Sequence, residues 1–101
     1  MNIVKKLILN ENYEFVIQSF NRNTYNQDGR LVSTIYVVLA NPTSQILEQL
    51  RALAMYTIED LVINVDDDSV YELHNIDARI NSIEESLGDD GVMRTSFTMT
   101  F

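Results

Sequence analysis

The chain has one histidine, His74, and no cysteine. Those two facts bound the chemistry first. Thiol nucleophiles, thiolate metal sites and disulfide staples are excluded. A Ser-His-Asp triad would need His74 as its base. Ser69 and Asp77 stand near it in the chain, but no serine lies in the Gly-x-Ser-x-Gly pattern of a nucleophile elbow. His74 therefore reads as an ordinary strand histidine. The three glycines sit at 29, 88 and 91, too scattered for a GxGxxG turn or a Walker loop. The expectation is a protein that is not an enzyme and holds no cofactor.

The carboxylates offer two further chemistries. Asp66-Asp67-Asp68 invites a calcium site. An EF-hand beginning at Asp66 would need Gly at its sixth position and Glu at its twelfth; those positions hold Tyr71 and Asp77. The EF-hand fails, and a looser oxygen site on the triplet stays open. Glu84 and Glu85 could in principle act as a glycosidase pair. On a strand, neighbours point to opposite faces, so the two cannot flank one glycosidic bond. They read as a solvated hairpin end.

The polar segment Asn21-Arg22-Asn23-Thr24-Tyr25-Asn26-Gln27 offers recognition rather than catalysis. If its hairpin projects beyond the sheet, Arg22 and Tyr25 become an interaction arm. The candidate interaction residues are thus Arg22, Tyr25, Asp66, Asp67 and Asp68, and no catalytic, cofactor or metal residue is assigned.

These residues must be positioned by one small unit. The 101 residues, 46% of them apolar, suffice for a single domain over 1–101 with one core. The formal net charge is −8, from 15 acids and 7 bases. Acids cluster at Glu59-Asp60, Asp66–Asp68, Glu84-Glu85 and Asp89-Asp90. Neutralising phosphates takes Lys and Arg, so nucleic acid is not an expected partner. No run approaches the ~18 apolar residues of a membrane helix. Met1 to Leu9 carries Lys5 and Lys6, but its apolar stretch is short and ends in Asn10-Glu11-Asn12, so it does not read as a signal peptide. The expected location is the host cytoplasm or a virion.

Strand signals dominate. Residues 3–9 and 13–26 read as the first two strands. Asp28-Gly29 then signals a type I′ turn, in which both residues need φ > 0. The third strand, 30–40, ends in six residues apolar on both parities, which predicts a central strand covered on both faces. Asn41 reads as an N-cap and Pro42 as N1 of a helix over 42–55. Ile46, Leu47, Leu50, Leu53 and Ala54 form its apolar stripe. Residues 61–65 read as a fourth strand, Asp66-Asp67-Asp68 as a turn, and Val70 to Leu73 as the start of a fifth strand.

Residues 75–88 admit two readings. Ile76, Ile80, Ile83 and Leu87 recur at helical spacing, which would give a second helix at 76–87. The favoured reading is a bulged hairpin closed by Asp89-Asp90-Gly91, with Gly91 left-handed. It sets Leu87 against Met93, Glu85 against Thr95 and Ile83 against Phe97. One bulge near Asn81-Ser82 then brings Ile80 opposite Met99 and Ala78 opposite Phe101. The expected class is α+β: a mostly antiparallel sheet, small sandwich or barrel with one covering helix, in the order β-β-β-α-β-β-β.

Tyr71 through Phe101, with its alternation, its Asp-Gly turn and its Thr/Phe-rich last strand, resembles the closing hairpins of small bacteriophage and prophage virion proteins, especially tail-associated ones. The resemblance implies a structural protein that works by self-assembly or docking. Its partners would be other protein subunits, as a homo-oligomer or as virion neighbours, with no nucleic acid and no membrane. No functional residue carries over from it. The competing reading is a small acidic inhibitor or adaptor that meets a basic protein surface through its carboxylates.

Overall fold

A computed structural model describes residues 3–101. Its elements are β1 (Lys5–Leu9), β2 (Tyr13–Gln27), β3 (Arg30–Leu39), α1 (Ser44–Leu53), β4 (Ile58–Val65), β5 (Asp68–Leu87) and β6 (Met93–Thr100). The strands close into an antiparallel barrel in the order β1-β2-β3-β6-β5-β4. The architecture is mostly β, not the expected α+β, because the one helix among the described residues is short and the sheet closes on itself.

Strand alternation builds the core. Leu7 and Leu9 of β1, Phe15 and Ile17 of β2, Ile35, Val37 and Leu39 of β3, Leu61 and Ile63 of β4, and Phe97 and Met99 of β6 are all buried. Closure pairs every strand on both sides along the barrel body, while β2 beyond Ile17 and β5 before Arg79 keep one unpaired side among the described residues. It also corrects the expectation that β3 is covered on both faces. In a barrel a central strand has one inner face, so Tyr36 remains 46% exposed between buried Ile35 and Val37.

Two long strands, β2 and β5, each change partner partway. β2 pairs with β1 over Tyr13–Ile17 and with β3 from Ile17 to Gln27, with a register break between Ile17 and Ser19. β5 pairs with β4 through Ala78 and with β6 from Arg79 onward. Its break between Asn81 and Glu84 sets Ser82 and Ile83 against one residue of β6. Ser82 has φ 52 there, and Gly91 has φ 78 in the loop beyond. Leu87 faces Met93, Glu85 faces Thr95 and Ile80 faces Met99. The segment is therefore the bulged strand, and no helix forms at 76–87.

The turns explain the bends. Asp28 (φ 54) and Gly29 (φ 83) form the two-residue connection between Gln27 and Arg30. Asp66 (φ 50) and Asp67 (φ 70) do the same between Val65 and Asp68. The acid triplet is thus split: two aspartates make the turn, and Asp68 opens β5 instead of belonging to the turn.

The helix is shorter than 42–55. Asn41 adopts φ 43, a left-handed residue that turns the chain out of β3. It cannot cap from there. Thr43 is the N-cap, its Oγ1 accepting from the Ile46 N–H at 3.2 Å, and Pro42 remains in the connection. Leu50 and Leu53 enter the core where β3 ends and β4 begins, so α1 covers that end of the barrel.

Candidate functional site

The opposite end of the barrel, where β2–β3 and β4–β5 turn back, is assembled from polar and aromatic side chains. The break after Ile17 returns Phe20, Arg22 and Thr24 of β2 to the face of Val37, Ile35 and Ser33 of β3, their register partners. Arg22 therefore points into the mouth. Its Nη1 donates to Tyr71 Oη at 2.6 Å and its Nη2 to Ser33 Oγ at 3.0 Å. Its guanidinium lies 5.1 Å from the Phe101 ring centroid, a cation–π contact. Thr24 Oγ1 shares a 3.0 Å hydrogen bond with Ser33 Oγ, and the Phe20 and Tyr71 rings meet at 5.4 Å. All of these partners are neutral. They tie the β2–β3 hairpin to β5 across the mouth.

Beyond Ser33 the hairpin runs free as an arm. Ser33 exchanges both backbone hydrogen bonds with Phe101, and β3 pairs with β6 no nearer the tip than that among the described residues. Tyr25 sits on the arm opposite Val32, 47% exposed. Arg22 and Tyr25, read together in the sequence, thus lie on opposite faces. Arg22 anchors the base of the arm, and Tyr25 is presented outward.

The aspartates are spent differently. Asp66 Oδ1 accepts from the Val4 N–H at 3.0 Å, and its own N–H donates to the Val4 carbonyl at 2.9 Å. Asp66 thereby pins the chain ahead of β1. Asp67 completes the turn and Asp68 joins the ladder. No group of three or more His, Asp or Glu side chains converges as a metal-ligand set among the described residues.

One charged cluster escapes sequence reasoning. His74 Nδ1 hydrogen-bonds Asp60 across the β4–β5 ladder, and its Nε2 lies 3.2 Å from Glu72 Oε1. The hydrogen bond to Asp60, then that to Glu72, raises the His74 pKa above its ordinary 6.5. The two-residue spacing of Glu72 and His74 puts them on one face and was visible in the sequence. Asp60 was not, because register shifts on both sides of it separate the ladder from simple counting. At the end of the barrel covered by α1, Arg94 Nη2 donates to Asp90 Oδ2 at 2.8 Å. That bond and the Val92 N–H lower Asp90 to about 2. Glu85 is held by Arg51 at 3.1 Å.

Charge is segregated along the chain and hence around the barrel. From Phe15 to Leu47 the only acid is Asp28, set against Arg22 and Arg30. From Glu48 onward lie all but three of the 15 acids. The β2–β3 side is nearly neutral, and the β4–β5 side is strongly acidic. No helix among the described residues is long and apolar enough to cross a membrane. No protein-family model matches the chain, and no curated protein sequence matches it.

Proposed function

We infer that this protein is a non-enzymatic structural or assembly module that works through subunit–subunit contacts. The resemblance of Tyr71–Phe101 to the closing hairpins of virion proteins supports a phage or prophage component, tail-associated. The single observation that carries the assembly reading is the β2–β3 arm. It projects from a barrel, lacks lateral partners near its tip among the described residues, and belongs to the longest stretch of chain nearly free of acids. A neutral arm on an acidic body is a surface that neighbouring subunits can approach without charge repulsion. The Arg22 anchor fixes its angle, which lowers the ordering cost of docking.

Sedimentation velocity across a wide range of protein concentration tests this reading. A mass that rises to a defined multiple of the 11.6 kDa chain is expected; a strict monomer at every concentration overturns it. The acidic β4–β5 side favours the second reading, binding to a basic protein surface. Capture of such a partner that collapses as salt rises, with the protein itself monomeric, would select that reading instead.

A further inference from the structure

We propose that the outer edge of β2, from Phe20 to Asn26, is a pairing edge that takes β2 of a second copy of this chain, antiparallel and about a two-fold axis. The proposal rests on the assembly reading above and names its interface.

The backbone geometry identifies which groups are free. Ser33 spends its N–H and its carbonyl on Phe101, the residue after β6. Its partner in β2 is Thr24, so Thr24 and Ser33 form a pair that exchanges no backbone bonds with each other, and the Thr24 N–H and C=O point away from β3. The register runs without a break from Ser19 to Gln27. Phe20, Arg22 and Asn26 share the parity of Thr24 and aim their backbone groups the same way. β1 reaches β2 only as far as Ile17. Among the described residues nothing on the side away from β3 pairs with these four.

Natural edges are blunted by lysine, proline, inward charge or bulges. The second unpaired edge, β5 over 68–77 on the side facing β6, is blunted in this way. It bears Asp68, Glu72 and Asp77, has a left-handed residue at Asn75 (φ 58), and breaks register with β4 twice. The β2 edge carries only one of them. It reads Phe-Asn-Arg-Asn-Thr-Tyr-Asn, with no lysine, proline or acid, and its register break lies before it, between Ile17 and Ser19; its one inward charge, Arg22, is spent on Tyr71 and Ser33.

Charge then selects the occupant. A two-fold contact sets the same residues against themselves. Across the β4–β5 side that would oppose carboxylates. Across β2 it opposes Asn, Thr and Tyr, on a stretch that carries no acid. An axis through Asn23 places Arg22 opposite the partner's Thr24 and gives a continuous four-stranded sheet of two arms, joined by about eight backbone hydrogen bonds.

Amide exchange read residue by residue by NMR, at low and high concentration of the intact protein, tests the inference alongside its sedimentation mass. The Arg22 and Thr24 amides are expected to slow about tenfold or more on concentration. Asn23 and Tyr25, already bonded to β3, stay slow at both. A dimer in which Arg22 and Thr24 remain fast overturns this interface and leaves the assembly reading standing. A monomer at all concentrations overturns both. Thr24→Pro removes one free-edge backbone donor and no backbone bond to β3, at the loss of the side-chain contact with Ser33 Oγ; the dissociation constant is expected to rise about tenfold or more with Asn23 and Tyr25 still protected. An unchanged constant in that folded variant also overturns the proposal.

Discussion

The two ends of the barrel are built from opposite materials. Where α1 lies, Leu50 and Leu53 are inserted among buried Leu, Ile and Phe side chains, and the end is sealed by apolar packing. At the mouth, Arg22 is held by a phenol, a hydroxyl and an aromatic face, and the β2 strand beyond it is exposed. Apolar packing is non-directional and supplies most of the stability. Neutral hydrogen bonds are directional and contribute little net free energy each. The contrast assigns folding strength to the covered end and the aiming of the arm to the open one.

The largest test strikes the covered end. Leu50 is fully buried, so Leu50→Ala is expected to cost about 3 kcal/mol through lost burial and a residual cavity. Urea unfolding should show the midpoint falling with the slope unchanged. A loss under about 1 kcal/mol would mean that α1 is only draped over the barrel.

Arg22→Ala comes next. Two hydrogen bonds to neutral partners and one cation–π contact disappear, and the expected loss is about 1 kcal/mol. The sharper prediction is local. Amide exchange should quicken at Asn21, Asn23 and Tyr25, whose N–H groups serve β3, while β1 and β6 stay protected. Uniform quickening across the barrel would erase the distinction between the ends.

The smallest effects are electrostatic, and both groups are exposed. The His74 pKa is raised in the folded protein by its bonds to Asp60 and Glu72. Its contribution to stability is therefore complete below the ordinary 6.5 and is lost as pH rises through the higher folded value. His74→Gln should remove that slope above the ordinary 6.5, measured by thermal unfolding, without touching the mouth. Asp90 runs the other way. It is lowered to about 2 from 3.8, so its contribution is complete above 3.8 and vanishes as pH falls through about 2. Asp90→Asn should make unfolding less steep with pH in that acid window.

What could be read from the residues followed locality. The Asp28-Gly29 turn and the bulged hairpin ending at Gly91 were legible because glycine and aspartate mark left-handed positions, and because only one register matches Leu87 with Met93 and Ile80 with Met99. The helix was legible as a stripe, but its start was not. Asn41-Pro42 has the composition of a cap and a first turn, and only the left-handed backbone at Asn41 moves the cap to Thr43. Barrel closure left no local trace. Apolar residues on both parities of β3 predicted a doubly covered strand, whereas Tyr36 and Val38 simply face outward. Tyr71 and Asp60 complete the two polar clusters: Tyr71 lies far in sequence from Arg22, and Asp60 is the cross-strand register partner of His74. Their pairing depends on bulges that composition does not announce.

The partner change within β5 has a consequence for how the chain comes off the ribosome. β6 is the staple between β3 and β5, and it is the last strand of the barrel to be made. Until it emerges, the preceding strands can form only an open sheet with β3 and β5 as bare, apolar-flanked margins. Long-range closure of this kind is slow, and unpaired margins in a waiting intermediate are prone to capture by other chains. Newly made protein therefore passes through its most vulnerable state after nearly all of the barrel has been synthesised, and holding synthesis rate or temperature low at that stage should raise the soluble yield.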